Sequence, residues 1–244
     1  MSKLINKSIQ KVTIEQFVSS QTKLSRRKIF ELIKSKKIKV NNKIVNGITQ
    51  KINSSLDKVL VNGKIIEQRY QLVYYKFNKP KNVITTLSDP KGRRTIADFL
   101  KSIKEPVIPV GRLDRNTLGL ILLTNDGHFC NKIAHPSFLI KKTYSVGLDK
   151  EIKSELLNQI KQGIILEDGP ILPDLIEKTG KKRLIITISE GRNRVIRRLF
   201  ESLGAEVTFL KRESIGPIEI GSLKVGEIEP LTKKELLAIN RSFK

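Results

Sequence analysis

The longest apolar run of the chain, Leu118 to Leu123, is interrupted by Gly119 and ends in Asn125-Asp126-Gly127. A short run closed by a turn signal belongs in a buried core, and it falls far below the ~20 residues that a membrane-spanning helix needs. Immediately before it stands Val110-Gly111-Arg112-Leu113-Asp114-Arg115-Asn116-Thr117, where a glycine and two arginines bracket one carboxylate. Asp114 is therefore expected on a loop beside rigid structure, in a positive local field that favours its charged form. Such an aspartate is a candidate for chemistry, though a helix cap or a turn residue would show the same local pattern.

The formal net charge is +23 on 244 residues. A compact chain with that excess repels itself, which points to a polyanionic partner: nucleic acid first, an anionic membrane surface second. The membrane reading has little behind it, because no apolar stretch is long enough. With 39% hydrophobic residues and nine prolines the composition is that of a globular chain, one large domain or two unequal ones. Met1-Ser2-Lys3-Leu4-Ile5-Asn6-Lys7 lacks the apolar core of a secretory signal, and Cys130 is the only cysteine, so a reducing cytoplasm is expected. One cysteine and two histidines, His128 and His135, make a zinc site an unfavourable reading. No Gly-x-Gly-x-x-Gly or Walker-type loop is present, so neither a nucleotide nor any other cofactor is expected.

Positive charge is densest at the start: residues 1–70 hold 16 Lys/Arg and 4 Asp/Glu, a net of +12, against +11 for the other 174 residues. Thr13-Ile14-Glu15-Gln16 fits a capping box, predicting a short helix to about Ser19. Ser25 caps a second helix, whose Ile29, Phe30, Leu32 and Ile33 are expected on one face, with Arg26, Arg27 and Lys28 toward solvent. Ile38-Lys39-Val40 and Lys43-Ile44-Val45 alternate around Asn41-Asn42. Val59-Leu60-Val61 and Lys64-Ile65-Ile66 flank Asn62-Gly63, a strong hairpin signal. Such a basic helix-plus-hairpin unit suits phosphate reading, although a single lysine in so lysine-rich a chain is more simply a solvated surface residue.

Glu67 to Tyr70 reads as a linker, Leu72 to Phe77 as a buried strand and Asn78-Lys79-Pro80-Lys81-Asn82 as a loop. Thr95 to Leu100 suggests a helix, and another follows Gly127 as far as Ala134, before Pro136. Lys142 to Val146 is a strand in which Tyr144 projects opposite to Thr143 and Ser145; by local evidence it is a core or sheet-face tyrosine. Glu151 to Gln162 is a helix. A strand ends at Ser189, Gly191 turns the chain, and a helix runs to Leu203 with Gly204 as its C′ residue. Its buried face is Ile196, Leu199, Phe200 and Leu203. Arg197 adjoins that face and, if buried, needs an anion, which makes Asp114 and Arg197 a candidate ion pair. Arg192, Arg194 and Arg198 are freer to meet phosphate.

Two resemblances emerge from these residues. Ser25-Arg26-Arg27-Lys28-Ile29 followed by Ile38-Lys39-Val40-Asn41-Asn42-Lys43 resembles the S4 RNA-binding domain, with Asn42 where that family usually has Gly. Gly111-Arg112-Leu113-Asp114-x-x-Thr117-x-Gly119-Leu120, Thr124-Asn125-Asp126-Gly127 and Glu190-Gly191-Arg192-Asn193-Arg194-x-x-Arg197-Arg198, with Asn78-Lys79-Pro80, resemble the bacterial ribosomal-RNA pseudouridine synthases of the RsuA/RluB family. The likeness covers almost the whole chain. It implies an α+β fold: an S4-like domain over 10–69, a catalytic domain over 70–232 on a largely antiparallel sheet flanked by helices, and a basic tail over 233–244.

The resemblance further implies isomerisation of uridine to pseudouridine in ribosomal RNA, without cofactor or metal, by a protein expected to act as a monomer. Asp114 would be the catalytic carboxylate, attacking the anomeric carbon or removing a ribose proton. Arg197 would favour its charged form, Tyr144 would stack on the uracil, and Arg112 would fill the gap left by the flipped nucleotide. Arg26, Arg27, Lys28, Lys39, Arg192, Arg194 and Arg198 would contact RNA. Gly163-Ile164-x-Leu166-Glu167-Asp168-Gly169 leans toward the large-subunit branch over the small-subunit one. The family usually has Gly at Asn82 and Gln at Val195, differences that touch RNA positioning and not the reaction. Against these stand a non-catalytic RNA-binding or ribosome-assembly protein, which shares the charge and the fold, and a DNA-binding protein, which lacks a helix-turn-helix or zinc-finger pattern.

Overall fold

The structure, a computed structural model, describes residues 11–22, 24–67 and 70–243. Gln68 and Arg69 of the expected linker lie outside the described residues, as do the first ten residues and Lys244. The chain divides into two units. One takes in the described residues up to Val73 with Ile103–Val107 and Thr124–His128, and the other Tyr74–Ser102, Ile108–Leu123 and the chain from Phe129 onward. Both mix helices with sheet, and no described helix is long and apolar enough to cross a membrane.

In the first unit the capping box forms: the Gln16 N–H donates to Thr13 Oγ1 at 3.1 Å and the Thr13 N–H to Gln16 Oε1 at 2.9 Å. Helix α1, Ile14–Gln21, runs two residues past the expected end. Helix α2, Arg26–Lys34, begins where Ser25 Oγ accepts the Lys28 N–H, and buries Ile29, Leu32 and Ile33. Phe30 is instead 44% exposed, because a step of about 100° per residue carries it off the stripe. Its ring lies 4.7 Å from the Lys34 ammonium.

Strands β1, Ile38–Val40, and β2, Lys43–Ile44, turn through Asn41 and Asn42 at φ +48° and +66°. Strands β3, Val59–Val61, and β4, Lys64–Ile66, turn through Asn62 and Gly63 at +52° and +78°. Positive φ at both central residues belongs to type I′ turns, so Asn42 adopts the conformation for which glycine is usual. The order is β2-β1-β3-β4. Its inward side chains join those of α1 and α2 in one core around Ile14, Phe17, Ile29, Ile38 and Val59.

The second unit is built on a nine-stranded sheet. Its main path uses β5 (Tyr74–Lys79), β6 (Leu118–Thr124), β7 (Lys142–Leu148), β8 (Leu175–Gly180), β9 (Arg183–Ile188), β10 (Val207–Ile215) and β11 (Ile228–Pro230) in the order β8-β9-β7-β10-β6-β5-β11. β6 runs parallel to β10, while β7 is antiparallel to both β9 and β10. Four helices accompany the sheet: α3 (Gly127–Ala134), α4 (Ser154–Gln162), α5 (Val195–Ser202) and α6 (Lys233–Arg241).

Several boundaries differ from the sequence reading. β5 begins at Tyr74 and includes Asn78 and Lys79, which composition assigned to a loop. Residues 96–99 make only a short 3₁₀ turn, and α4 starts at Ser154. α5 ends at Ser202, and Gly204 at φ +67° closes it with bonds from its own N–H to the Glu201 carbonyl and from Ala205 to Phe200, a Schellman motif. The basic tail is a packed helix: Ile239 is fully buried, and Lys76 Nζ pairs with Glu235 at 3.0 Å and Glu229 at 2.7 Å.

One close approach fixes the centre of the sheet. Gly119, opposite Arg212 in the parallel β6–β10 pair, has φ +106°, and a Cβ there would lie 2.3 Å from the Arg212 carbonyl oxygen. Backbone cannot yield as a flexible side chain would. Gly119→Ala should therefore lower stability by about 3 kcal/mol or more. Gly127→Ala, at a helix position where nothing lies within 4 Å, should be neutral or stabilising by under about 1 kcal/mol. Denaturant midpoints of the two variants check this, and equal effects would refute the close approach.

Candidate active site

The loop that carries Asp114 is held carbonyl by carbonyl. Thr85 Oγ1 donates to the Leu113 carbonyl at 2.7 Å and accepts the Leu113 N–H at 3.2 Å. The Asp114 carbonyl accepts the Thr117 N–H at 3.0 Å, and the Arg115 carbonyl accepts the Asn82 N–H at 2.8 Å. Lys79 Nζ lies 3.5 Å from that same Arg115 oxygen, and Arg197 Nη2 donates to the Asn116 carbonyl at 3.4 Å. Leu113 itself is buried and pins the loop from within. Four successive peptide groups are thus fixed, which removes the freedom that a loop ordinarily keeps.

Two features of the chain make this possible. Lys79 is fully buried, with Nζ donating to the Pro80 and Val83 carbonyls at 2.8 Å each. Those oxygens replace water around an ammonium that would otherwise be costly to bury. Burial pushes Lys79 down to about 8, opposed by the charge of Asp114. Asn82 stands at φ +64°, so the glycine expected by resemblance is replaced by the residue that next best tolerates the left-handed region.

Asp114 and Arg197 are not at ion-pair distance. Arg197 Nη1 instead donates to the Val207 carbonyl at 2.8 Å, and its Nε is buried without a partner. Burial lowers the Arg197 pKa, Arg194 adds to the fall, and Asp114 opposes it. The cation within ion-pair range of Asp114 is Arg194, whose Nη1 lies 4.0 Å from Oδ2 while its Nη2 is 3.6 Å from Glu201. The reason is local. Arg194, at φ +47°, is the N-cap residue of a helix that starts only at Val195, so it meets the carboxylate while Arg197 reaches backbone.

Arg192 and Arg198 are also not the free phosphate ligands that sequence suggested. Arg198 grips Asp168 through two bonds of 2.8 and 2.7 Å. Arg192 pairs with Asp168 at 2.8 Å and with Glu190, and donates to the carbonyls of Gly169 and Pro170. Arg198 beside Asp168 holds that carboxyl below its usual range. The two arginines thereby tie the turn between strands Ile164–Leu166 and Gly169–Ile171 to the start of α5.

Asp114, Arg112, Tyr144, Arg192, Arg194 and Arg197 all line one cavity of about 520 Å³. Arg112 is exposed, and Tyr144, on β7 between Ile186 of β9 and Arg212 of β10, is 8% exposed and faces the cavity. Arg26, Arg27, Lys28 and Lys39 belong to the first unit, where all four are exposed. Sequence reasoning missed Lys142 and Arg212, which also line the cavity. Burial pushes Lys142 down to about 8, Arg212 adds to the fall, and Asp174 and Glu190 oppose it. Arg212 is 5% exposed, donates from Nε to the Leu120 carbonyl at 2.7 Å, and keeps a buried Nη2 without a partner. An arginine between Leu210 and Ile215 in a strand was the signal that could have found it. Among the described residues no group of three or more His, Cys, Asp or Glu is arranged to hold a metal.

Residues 73–202 match the family model for RNA pseudouridylate synthase. Over 218 residues the chain is 44% identical to ribosomal large subunit pseudouridine synthase B of Bacillus subtilis, covering 87% of this chain and 88% of that protein. A protein of Aquifex aeolicus named as an uncharacterized RNA pseudouridine synthase is 40% identical over 233 residues, 93% of each chain. A crystal structure of a pseudouridylate synthase superposes with a TM-score of 0.67 at 29% identity, over 93% of this chain and 99% of that one. On the matched family model and these full-length relatives, the chain belongs to the RNA pseudouridylate synthase family.

Proposed function

We propose that the protein isomerises uridine to pseudouridine in ribosomal RNA of the large subunit, with Asp114 as the catalytic carboxylate. The observation that carries this reading is the fixed Asp114 loop facing a cavity walled by Tyr144 and lined by cations. The likeness to a protein named for the large subunit supports the choice of RNA. The N1–C1′ bond breaks, the base turns, C5 joins C1′, C5 loses its proton and N1 gains one. Uridine must leave its stack to reach such a cavity, and Arg112, exposed on the same loop, is positioned to occupy the space it vacates. Tyr144 offers an aromatic face to the base. Arg197 acts on Asp114 through the backbone it holds, as a positioning residue.

The exposed Arg26, Arg27 and Lys28 of α2 and Lys39 of β1 give the first unit a basic face suited to phosphates. The protein is read as cytoplasmic and as acting on RNA alone or in an assembling subunit.

Purified protein given ribosomal RNA labelled with tritium at uridine C5 should release the label, and Asp114→Asn should slow release at least about 10³-fold while RNA still binds. Wild-type protein that binds RNA but releases nothing would favour a non-catalytic RNA-binding or ribosome-assembly protein. Arg26→Ala with Arg27→Ala should weaken RNA binding and reduce the salt slope of log Kd by about two; an unchanged slope would remove the first unit's face from the interface. Lys79 beneath the Asp114 loop and Lys142 on the cavity wall are both held near 8 by burial and lose charge as pH rises through that value. Turnover at saturating RNA should therefore fall above pH 8, and a flat profile to pH 9.5 would show that neither charge is needed.

A further inference from the structure

The charge of Lys142 enters the pH dependence above without an assigned partner, Arg212 has no assigned role, and both line the same cavity as Asp114. Lys142 and Tyr144 are two residues apart on β7, so they share a face, and Arg212 is the direct neighbour of Tyr144 across the β7–β10 pair. Arg212 is held by its Nε bond to the Leu120 carbonyl, which leaves Nη2 with nothing to donate to. A buried donor without a partner is costly, and its presence on a cavity wall points to a ligand acceptor that completes it. Lys142 is half-buried, and neither Asp174 nor Glu190 approaches it to ion-pair distance.

The acceptor must reach a buried wall. Phosphates next to the flipped nucleotide stay with the RNA chain at the cavity mouth, where Arg112 and Arg194 are exposed. The base is the part of the nucleotide that goes in, and Tyr144 offers it an aromatic face. We infer that Lys142 and Arg212 form the base subsite, binding the carbonyl oxygens of the flipped uracil and stabilising the uracil anion as the N1–C1′ bond breaks. This rests on the reaction proposed above. The electron pair of the broken bond leaves with the base, delocalised over N1 and the carbonyl oxygens. It returns to form the C5–C1′ bond, after which C5 gives up its proton and N1 takes one. The inference holds whichever way Asp114 acts, because uracil departs with the pair in both routes. Fixed cations at the place where charge develops are more effective in a water-poor cavity than in solvent.

The test is single-turnover tritium release from saturating labelled RNA by wild type, Lys142→Met, Lys142→Gln, Lys142→Arg and Arg212→Lys, each checked for an unchanged melting temperature. The methionine and glutamine variants should be slowed about 10²-fold with Kd for RNA nearly unchanged, and Lys142→Arg should recover most of the rate. With 5-fluorouridine at the target, whose base is a more stable anion and whose C5 keeps its fluorine in place of the proton that uridine gives up, nucleoside analysis for the C5-glycosylated fluoro product should find a loss several-fold smaller. A loss equal for both bases, a rate within about twofold of wild type, or an effect confined to Kd would overturn the inference. So would a loss that disappears when the phosphate 5′ to the target is a methylphosphonate, which would assign the cations to the backbone. A wild type that releases no tritium from any uridine would overturn the reaction and this inference with it.

Discussion

The cavity depends on the way peptide carbonyls around Asp114 are satisfied. Leu113, Asp114, Arg115 and Asn116 each have their oxygen bonded, and the donors outside the loop come from Thr85, Asn82, Lys79 and Arg197. Lys79 is a cation withdrawn from water wholly and Arg197 one withdrawn in part, and backbone oxygens take the place of the water each has lost. They serve twice. They fix the loop, and they place positive charge around its carboxylate without closing an ion pair that would have to be broken when substrate arrives. A carboxylate already locked to an arginine would spend part of its reactivity on that partner. The 4.0 Å separation of Arg194 from Asp114 leaves the oxygen available.

The large positive charge is divided by this arrangement into cations that build structure and cations that face outward. Arg192 and Arg198 are bonded to Asp168, with Glu190 as a second acceptor for Arg192, so Arg192 on the cavity wall and Arg198, which does not line it, both hold structure together. Lys76 is likewise taken up by Glu229 of β11 and by Glu235, and the second pair fastens α6 to the sheet. Arg112, Arg26 and Arg27 are exposed. The acidic residues are few, and those named here sit where an arginine or lysine has to be held still.

What could be read from the sequence was local. The Thr13–Gln16 box and the two asparagine turns depend on residues within four positions of one another, and they formed as their spacing predicted. The placement of Asp114 on a loop before the apolar strand was legible for the same reason. Phe30 was misplaced because the buried stripe of its helix runs through Ile29, Leu32 and Ile33, and Phe30 lies about 100° round the helix from Ile29. The partners of Arg197, Arg194, Arg192 and Arg198 differ from those expected because helical periodicity gives a direction for each side chain but not what waits there. That α5 starts at Val195 with a left-handed Arg194 decides which arginine meets the carboxylate, and only tertiary structure holds that information. Lys79 was assigned to a loop because a lysine before proline resembles one, and its burial depends on carbonyls from residues 83 and 115.

Gly119 links these two levels. Its missing side chain lets β6 approach the backbone of Arg212, the same residue whose guanidinium bonds the next carbonyl of β6 at Leu120. The close strand pair and the aim of Arg212 are therefore one constraint: a bulkier residue at 119 would push β10 away and lengthen the bond that orients Nη2. β6 is also the strand into which the Asp114 loop runs. The glycine five residues after the carboxylate thus sets the position of the cavity's carboxylate and of its most buried cation from a single point of contact.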